Sequence, residues 1–419
     1  MEEDIIVHSE SYTRLMRIAE TMPVIDTHEH LPLEGTFVGP KPDVLADYLS
    51  HYISSDLRAA GMPQEDCERA CDSAIDLMER WTLLEPWLER VKNTSYYKSL
   101  QIAMRKIHNI DDMTGVTIRA LNESFVKSVT EPNYKRRVMK DMCHIERSIT
   151  CRGDGPEFLG GLGGPEPDNF FARTFYPEAF AMPWITVEQK NLADYCEAYK
   201  QKYNYWRENG AVALKIAMAY DRTLYIGDVG FEEAAALFSQ YGNDSGRFPM
   251  PLQDYMLRYA LSLADADGFP VQIHTGLQEG MYNDIENSNP MLLKNLFRQY
   301  PNVPFDLFHI GYPWQSELIT LAKYHPNVHI DMCWAHIISP HASREFFREA
   351  LDVIPYTKIF AFGGDYLFFD GVVGHLALAK QNVCEVLAEK IGRGEYDLPL
   401  AEKILRAVFY DNAKRVFKL

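Results

Sequence analysis

The chain has 419 residues, 47% hydrophobic and 24% charged, an ordinary globular balance with room for a large buried core. Its formal net charge of -17 argues against nucleic acid or an anionic membrane surface as the main partner. A small anionic substrate stays open, because a metal and a few cations can set the local field.

No uncharged apolar run is long enough to span a membrane, and the acidic start Met1-Glu2-Glu3-Asp4 does not read as a secretion signal. The seven cysteines are scattered and form no Cys-x-x-Cys pair. Cys67 and Cys71 stand at helical spacing in a charged stretch. A zinc ribbon or disulfide framework is therefore not expected, and a reducing, cytoplasmic setting is.

Residues 8–21 have the pattern of an amphipathic helix that leads into a first strand, Met22 to Pro32. Along a strand side chains alternate faces, so His28 and His30 point the same way and Pro32 ends the run. Helical periodicity then dominates residues 43–108, followed by helices at about 120–129 and 133–142. This length is too great for a simple connection, so 43–142 reads as a helical insertion within a single 1–419 domain.

Further strands are expected at His144–Cys151, Asn169–Phe175, Val212–Ala219, Pro270–Thr275, Val303–Ile310, Val328–Met332 and Lys358–Phe362. Helical segments fall between most of them, at 187–208, 252–265, 289–299, 315–324 and 342–352, and 373–417 closes the series. Eight strands alternating with helices predict an α/β fold, a (β/α)₈ TIM barrel with the insertion after its first strand. Gly153–Pro167, rich in Gly and Pro, reads as a mobile loop. It lacks the following helix and the Lys-Ser/Thr pair of a phosphate cradle.

In such a barrel the chemistry sits at the C-terminal ends of strands. His28 and His30 end the first, His274 the fifth, His309 the sixth, and Asp365 closes the run of the eighth. Ile359, Ala361, Gly363 and Asp365 are expected to share one face. Imidazole and carboxylate together suit Zn²⁺, Mn²⁺ or Fe²⁺. The expected metal ligands are His28, His30, His274 and Asp365, with a position left for a water of lowered pKa and Asp365 free to take its proton.

His309 is read as a ligand of a second metal, a carbonyl polariser or a strand cap. Lys215 shares a face with Ala213 and Ala217 and points into the barrel, where an unpaired ammonium is costly. Its roles are binding a substrate carboxylate, bridging two metals if carboxylated, or snorkelling to the rim. Arg173 ends the third strand and Arg222 follows the fourth, and either can clamp a carboxylate bidentately. His336, His341 and His375 are assigned to loops, and Tyr312-Pro313-Trp314 to the pocket lining.

The His28-x-His30 pair, Lys215, His274, His309 and Asp365, in that order, resemble the amidohydrolase superfamily of metal-dependent barrels. The stretch Ala213-Leu214-Lys215 to Arg222, with Gln272-Ile273-His274-Thr275-Gly276 and His309-x-x-Tyr312-Pro313, is similar to the branch fused to glutamine synthetase-like proteins. The long insertion resembles that of uronate isomerases. The resemblance implies one divalent metal at the C-terminal face, zinc first and manganese or iron as alternatives. It also implies a hydrolase acting on a C–N or C–O bond of a small, carboxylate-bearing substrate. Asp365, His309 and Lys215 are the expected catalytic residues, and Arg173 and Arg222 the substrate-binding ones. Uronate isomerisation and non-oxidative decarboxylation are the alternatives on the same site. A homo-oligomer is compatible with the sequence.

Overall fold

The computed structural model of the chain describes residues 9–32, 35–151, 169–178, 185 and 188–419. The glycine-rich segment 153–167 lies outside the described residues. Eight strands form one sheet in sequence order: β1 Val24–Glu29, β2 Ile145–Thr150, β3 Phe171–Phe175, β4 Ala211–Ile216, β5 Val271–Ile273, β6 Phe305–Leu307, β7 Val328–Asp331 and β8 Ile359–Phe360. Every neighbouring pair from β1–β2 to β7–β8 is parallel. The barrel closes through irregular backbone bonds. Thr27 N–H donates to Phe362 O at 3.1 Å and Asp365 N–H to His28 O at 2.9 Å. The (β/α)₈ barrel read from the strand–helix alternation is the fold observed.

Packing separates the two faces of the sheet. Ile25, Ile149, Ala172, Ala213 and Phe360 form a small cluster with Ala413, Val416 and Phe417 of the last helix. Phe171, Phe175, Leu214 and Ile216 join the large cluster formed with the helices. By alternation Lys215 shares the Ala213 face, whereas Arg173 shares the helix-packed face of Phe171 and Phe175.

Three strands are shorter than their hydrophobic runs. β5 ends before His274, β6 before His309, and β8 five residues before Asp365. The run after β8 does not continue the strand alternation expected up to Asp365. Asp365, His309 and Ile310 instead take left-handed φ values of 57°, 63° and 51°. Non-glycine residues adopt these values only where the surroundings over-determine them, and such positions cluster at functional sites. The side chains at the mouth are thus aimed by turns rather than by the pleat.

The insertion after β1 is helical, with Val44–Tyr48, Tyr52–Ala59, Gln64–Cys71, Leu77–Leu88, Ser95–Ala103 and Ile118–Val129 as its α-helices. It is tied to the barrel at Asp370, in the first turn of the helix Phe369–Gly392. Asp370 accepts hydrogen bonds from Tyr48 Oη at 2.9 Å, His108 Nε2 at 2.8 Å and the Tyr134 hydroxyl. The helix N-terminus favours the carboxylate as well. His336, His341 and His375 lie in helices, not loops. His336 and His375 are buried against the backbone, donating to Ala361 O and Gly364 O. Among the described residues no helix is long and apolar enough to cross a membrane.

Candidate metal centre

β1 presents His28 and His30 side by side, with ring centroids 4.8 Å apart, as strand alternation requires. Both reach one carboxylate oxygen. His28 Nε2 lies 3.3 Å and His30 Nε2 3.2 Å from Asp365 Oδ1. His309 Nε2 stands 3.8 Å from the other oxygen, Asp365 Oδ2. His274 joins through His309, with His274 Nδ1 3.1 Å from His309 Nε2.

The two outer nitrogens of this last pair decide its chemistry. His274 Nε2 donates to Leu277 O at 2.9 Å, and His309 Nδ1 donates to Cys333 O at 2.9 Å. Each neutral ring carries one N–H, and in both rings it is spent on a backbone carbonyl. His274 Nδ1 and His309 Nε2 therefore face one another as lone pairs. A cation resolves that confrontation, and backbone carbonyls orienting the rings are the usual arrangement around ligand histidines. The donor set fits a divalent metal on this ground.

Electrostatics agree with ligand function. Burial, with the Lys215 ammonium nearby, pushes His28 and His274 down to about 3. Burial, with His274 beside it, holds His309 well below the ordinary imidazole range. These rings are neutral, as metal ligands must be. Burial opposes the charge on Asp365, but His28 and His30 outweigh it and keep the carboxyl ionised well below its usual range. At His30 burial is likewise overcome, by Cys151 and Asp365, and the ring rises to about 10 in the metal-free cluster.

Lys215 is buried among these groups. Its Nζ sits 3.6 Å over the Phe308 ring and makes no hydrogen bond or ion pair among the described residues. Burial lowers its pKa, opposed by Asp365 and Cys151. An ammonium left unpaired in this way is costly unless an anion arrives.

Beneath the ligands a layer of carboxyls holds the backbone. Asp26 Oδ1 accepts from Gly364 N–H at 3.1 Å, and Asp331 Oδ1 accepts from Cys333 N–H at 2.7 Å. Gly364 precedes Asp365, and Cys333 supplies the carbonyl that orients His309. Burial raises Asp26 and Asp331 to about 7. A Cβ on Gly364 would collide with the Glu29 carboxyl, so the approach of the two chains requires glycine there. Above the cluster, the insertion contributes Tyr52. Its ring stacks on Trp334 at 4.6 Å and its hydroxyl donates to Asp365 O. A groove of about 630 Å³ lies between the insertion and the loop after His274, lined by Leu49, Arg58, Cys71, Met281 and Tyr282 among others.

The structure thus brings His28, His30, His274, His309, Asp365 and Lys215 together, and it leaves the two arginines elsewhere. Arg173 lies over the Trp206 indole at 5.0 Å, on the helix side of the sheet. Arg222 is a buried ion pair with Asp254 at 2.6 Å and also donates to Tyr225 O at 2.9 Å. Strand ends and loop positions alone did not reveal these neighbours. Cys151 was missed in the opposite sense. Its thiol lies 3.1 Å from His30 Nδ1, and it closes the expected second strand. The strand-end rule that singled out the histidines applies to it equally.

Residues 229–419 match the family model described as amidohydrolase. Protein fluG of Emericella nidulans is 30% identical over 176 residues, which is 40% of this chain and 20% of that protein. The chain therefore spans about a fifth of that relative's length. A uronate isomerase of Thermotoga neapolitana is 19% identical over 470 residues and 99% of each chain. The crystal structure of the uronate isomerase of Thermotoga maritima matches with a TM-score of 0.78 at 16% identity, covering 99% of both chains. Identities this low carry the fold rather than the reaction. With the family match, they bear out the resemblance to the amidohydrolase superfamily.

Proposed function

We propose that this amidohydrolase-superfamily barrel is a metal-dependent hydrolase of a C–N or C–O bond in a small, carboxylate-bearing substrate. The observation that carries the reading is the buried Lys215 ammonium, unpaired beside the neutral rings of His28, His274 and His309 and the ionised Asp365. His28, His30, His274 and Asp365 would hold the cation, with zinc the first candidate. A divalent cation held there supplies Lewis acidity toward a carbonyl and toward water.

The residues of the chain supply the remaining roles. Lys215 holds the substrate carboxylate and orients the scissile bond. Asp365, ionised, accepts a proton from the attacking water and returns it to the leaving nitrogen or oxygen. His309, its Nδ1–H held by Cys333 O, keeps its Nε2 lone pair turned toward the cation and the His274 ring. Tyr52 and Trp334 cover the mouth and exclude water.

A second reading keeps the donors and changes the chemistry to isomerisation of a uronate. It is favoured by the chain-long likeness to uronate isomerases. Non-oxidative decarboxylation is a third use of the same donors.

The test is elemental analysis of the purified protein beside His28→Ala and Asp365→Ala. About one equivalent of metal, lost in both variants, is expected. No metal, together with variants of unaltered stability, overturns the reading. Acidic amides, lactones and uronates are then screened in ¹⁸O-labelled water. Hydrolysis places one labelled oxygen in the product, isomerisation consumes no water, and decarboxylation releases CO₂.

A further inference from the structure

β2 ends beside β1, and this register brings a sulfur to the metal-binding histidines. Thr150 pairs with Glu29, and Cys151 N–H donates to Glu29 O at 3.3 Å. The next residue on β1 is His30. Cys151 Sγ stands 3.1 Å from His30 Nδ1 and 3.6 Å from His30 Nε2. Ligand atoms of His28, His30 and Cys151 all lie within 4.8 Å of one another.

We propose that Cys151 is a further ligand of the divalent cation, as a thiolate beside His28, His30 and Asp365. The inference rests on the metal-enzyme reading above and extends it to a residue outside the expected ligand set. Typical bond lengths to zinc are about 2.3 Å for sulfur and about 2.0–2.1 Å for nitrogen and oxygen. At a tetrahedral angle, ligand atoms on such bonds stand roughly 3.3–3.6 Å apart. The separations here are 3.6 Å for Cys151 Sγ to His30 Nε2, 3.2 Å for His30 Nε2 to Asp365 Oδ1, and 3.3 Å for His28 Nε2 to Asp365 Oδ1.

A second observation points the same way. The unpartnered Lys215 ammonium is buried and interacts electrostatically with both Cys151 and Asp365. The sulfur and the carboxylate thus both lie in the field of one buried cation. The other cysteine near the cluster, Cys333, groups with His309 and Asp365 instead. A soft sulfur ligand also selects the cation, favouring zinc, cobalt or iron over magnesium or manganese.

Cobalt substitution of the chelator-treated full-length protein tests this. The wild type is expected to show the visible bands of bound Co²⁺ and a near-ultraviolet thiolate-to-cobalt charge-transfer band. Cys151→Ser should lose the charge-transfer band and keep the visible bands, with zinc affinity reduced about tenfold or more. Cys333→Ser should keep both. Visible bands without charge transfer in the wild type overturn the ligand role of Cys151 and leave the metal-enzyme reading standing. Charge transfer that survives in Cys151→Ser, or is lost in Cys333→Ser instead, overturns it equally. Absence of any bound cobalt in the wild type, or binding unaffected by His28→Ala, sinks the metal-enzyme reading itself.

Discussion

Lys215 is where stability and function pull apart most sharply. Its ammonium is buried, lies over the Phe308 ring and has no anionic partner in contact, so the folded protein bears the cost of desolvating it. Lys215→Met retains the stem and removes the charge. We expect this variant to be more stable by about 1–3 kcal/mol in denaturant unfolding and to lose turnover of carboxylate substrates. A fall in stability would mean that the ammonium already has a partner in the resting protein, and that the receptor role assigned to it is wrong. Position in the sequence did indicate that this lysine points into the barrel. It did not indicate that the charge stands unpaired, because that depends on side chains brought in from elsewhere in the barrel.

The insertion and the barrel meet at one carboxylate. Asp370 takes three donors, from Tyr48, His108 and Tyr134, which stand far apart in the chain and converge only when the insertion docks. Asp370→Asn keeps the shape but offers a single acceptor oxygen and two unwanted donors. At least one of the buried donors then goes unsatisfied, at a cost of about 1–3 kcal/mol. The expected result is a lowered unfolding midpoint with faster proteolysis confined to residues 43–142. Unchanged proteolysis of that segment would show that apolar packing alone secures it. The docking matters for the site because Tyr52, which covers Asp365, is carried by the same insertion.

The whole molecule is strongly acidic, yet it buries a cation outside the site. Lys380, in the helix Phe369–Gly392, is pushed down from 10.5 to about 8 by burial. It lines a cavity of about 640 Å³ between that helix, the helix Glu10–Thr21 and the insertion. Below pH 8 the lysine is protonated both folded and unfolded, so the burial penalty is fully present. Between pH 8 and 10.5 the folded protein has released the proton and the unfolded chain has not, so this group makes stability rise with pH across that window. Lys380→Met should flatten the rise and stabilise the protein at neutral pH by on the order of 1–3 kcal/mol. Parallel pH–stability curves for variant and wild type would rule out the linkage. Lys358, also lowered to about 8 by burial, supplies a similar slope that the substitution leaves untouched.

Periodicity by itself determined the barrel, the place of the insertion and the strand-end histidines of β1, because alternation and strand–helix succession are local properties of a chain. The order of His28, His30, Lys215, His274, His309 and Asp365 was likewise legible, since a parallel barrel delivers successive strand ends to one mouth. Tertiary structure decided the rest. Arg173 and Arg222 look like clamps until Trp206 and Asp254 claim them. Asp365 reaches the histidines through a left-handed turn and not a pleat, because Gly364 must pass against Glu29. Cys151 meets His30 only through the register of β2 on β1. Each of these turns on which groups share a few cubic ångströms, and that is settled by long-range packing rather than by spacing along the chain.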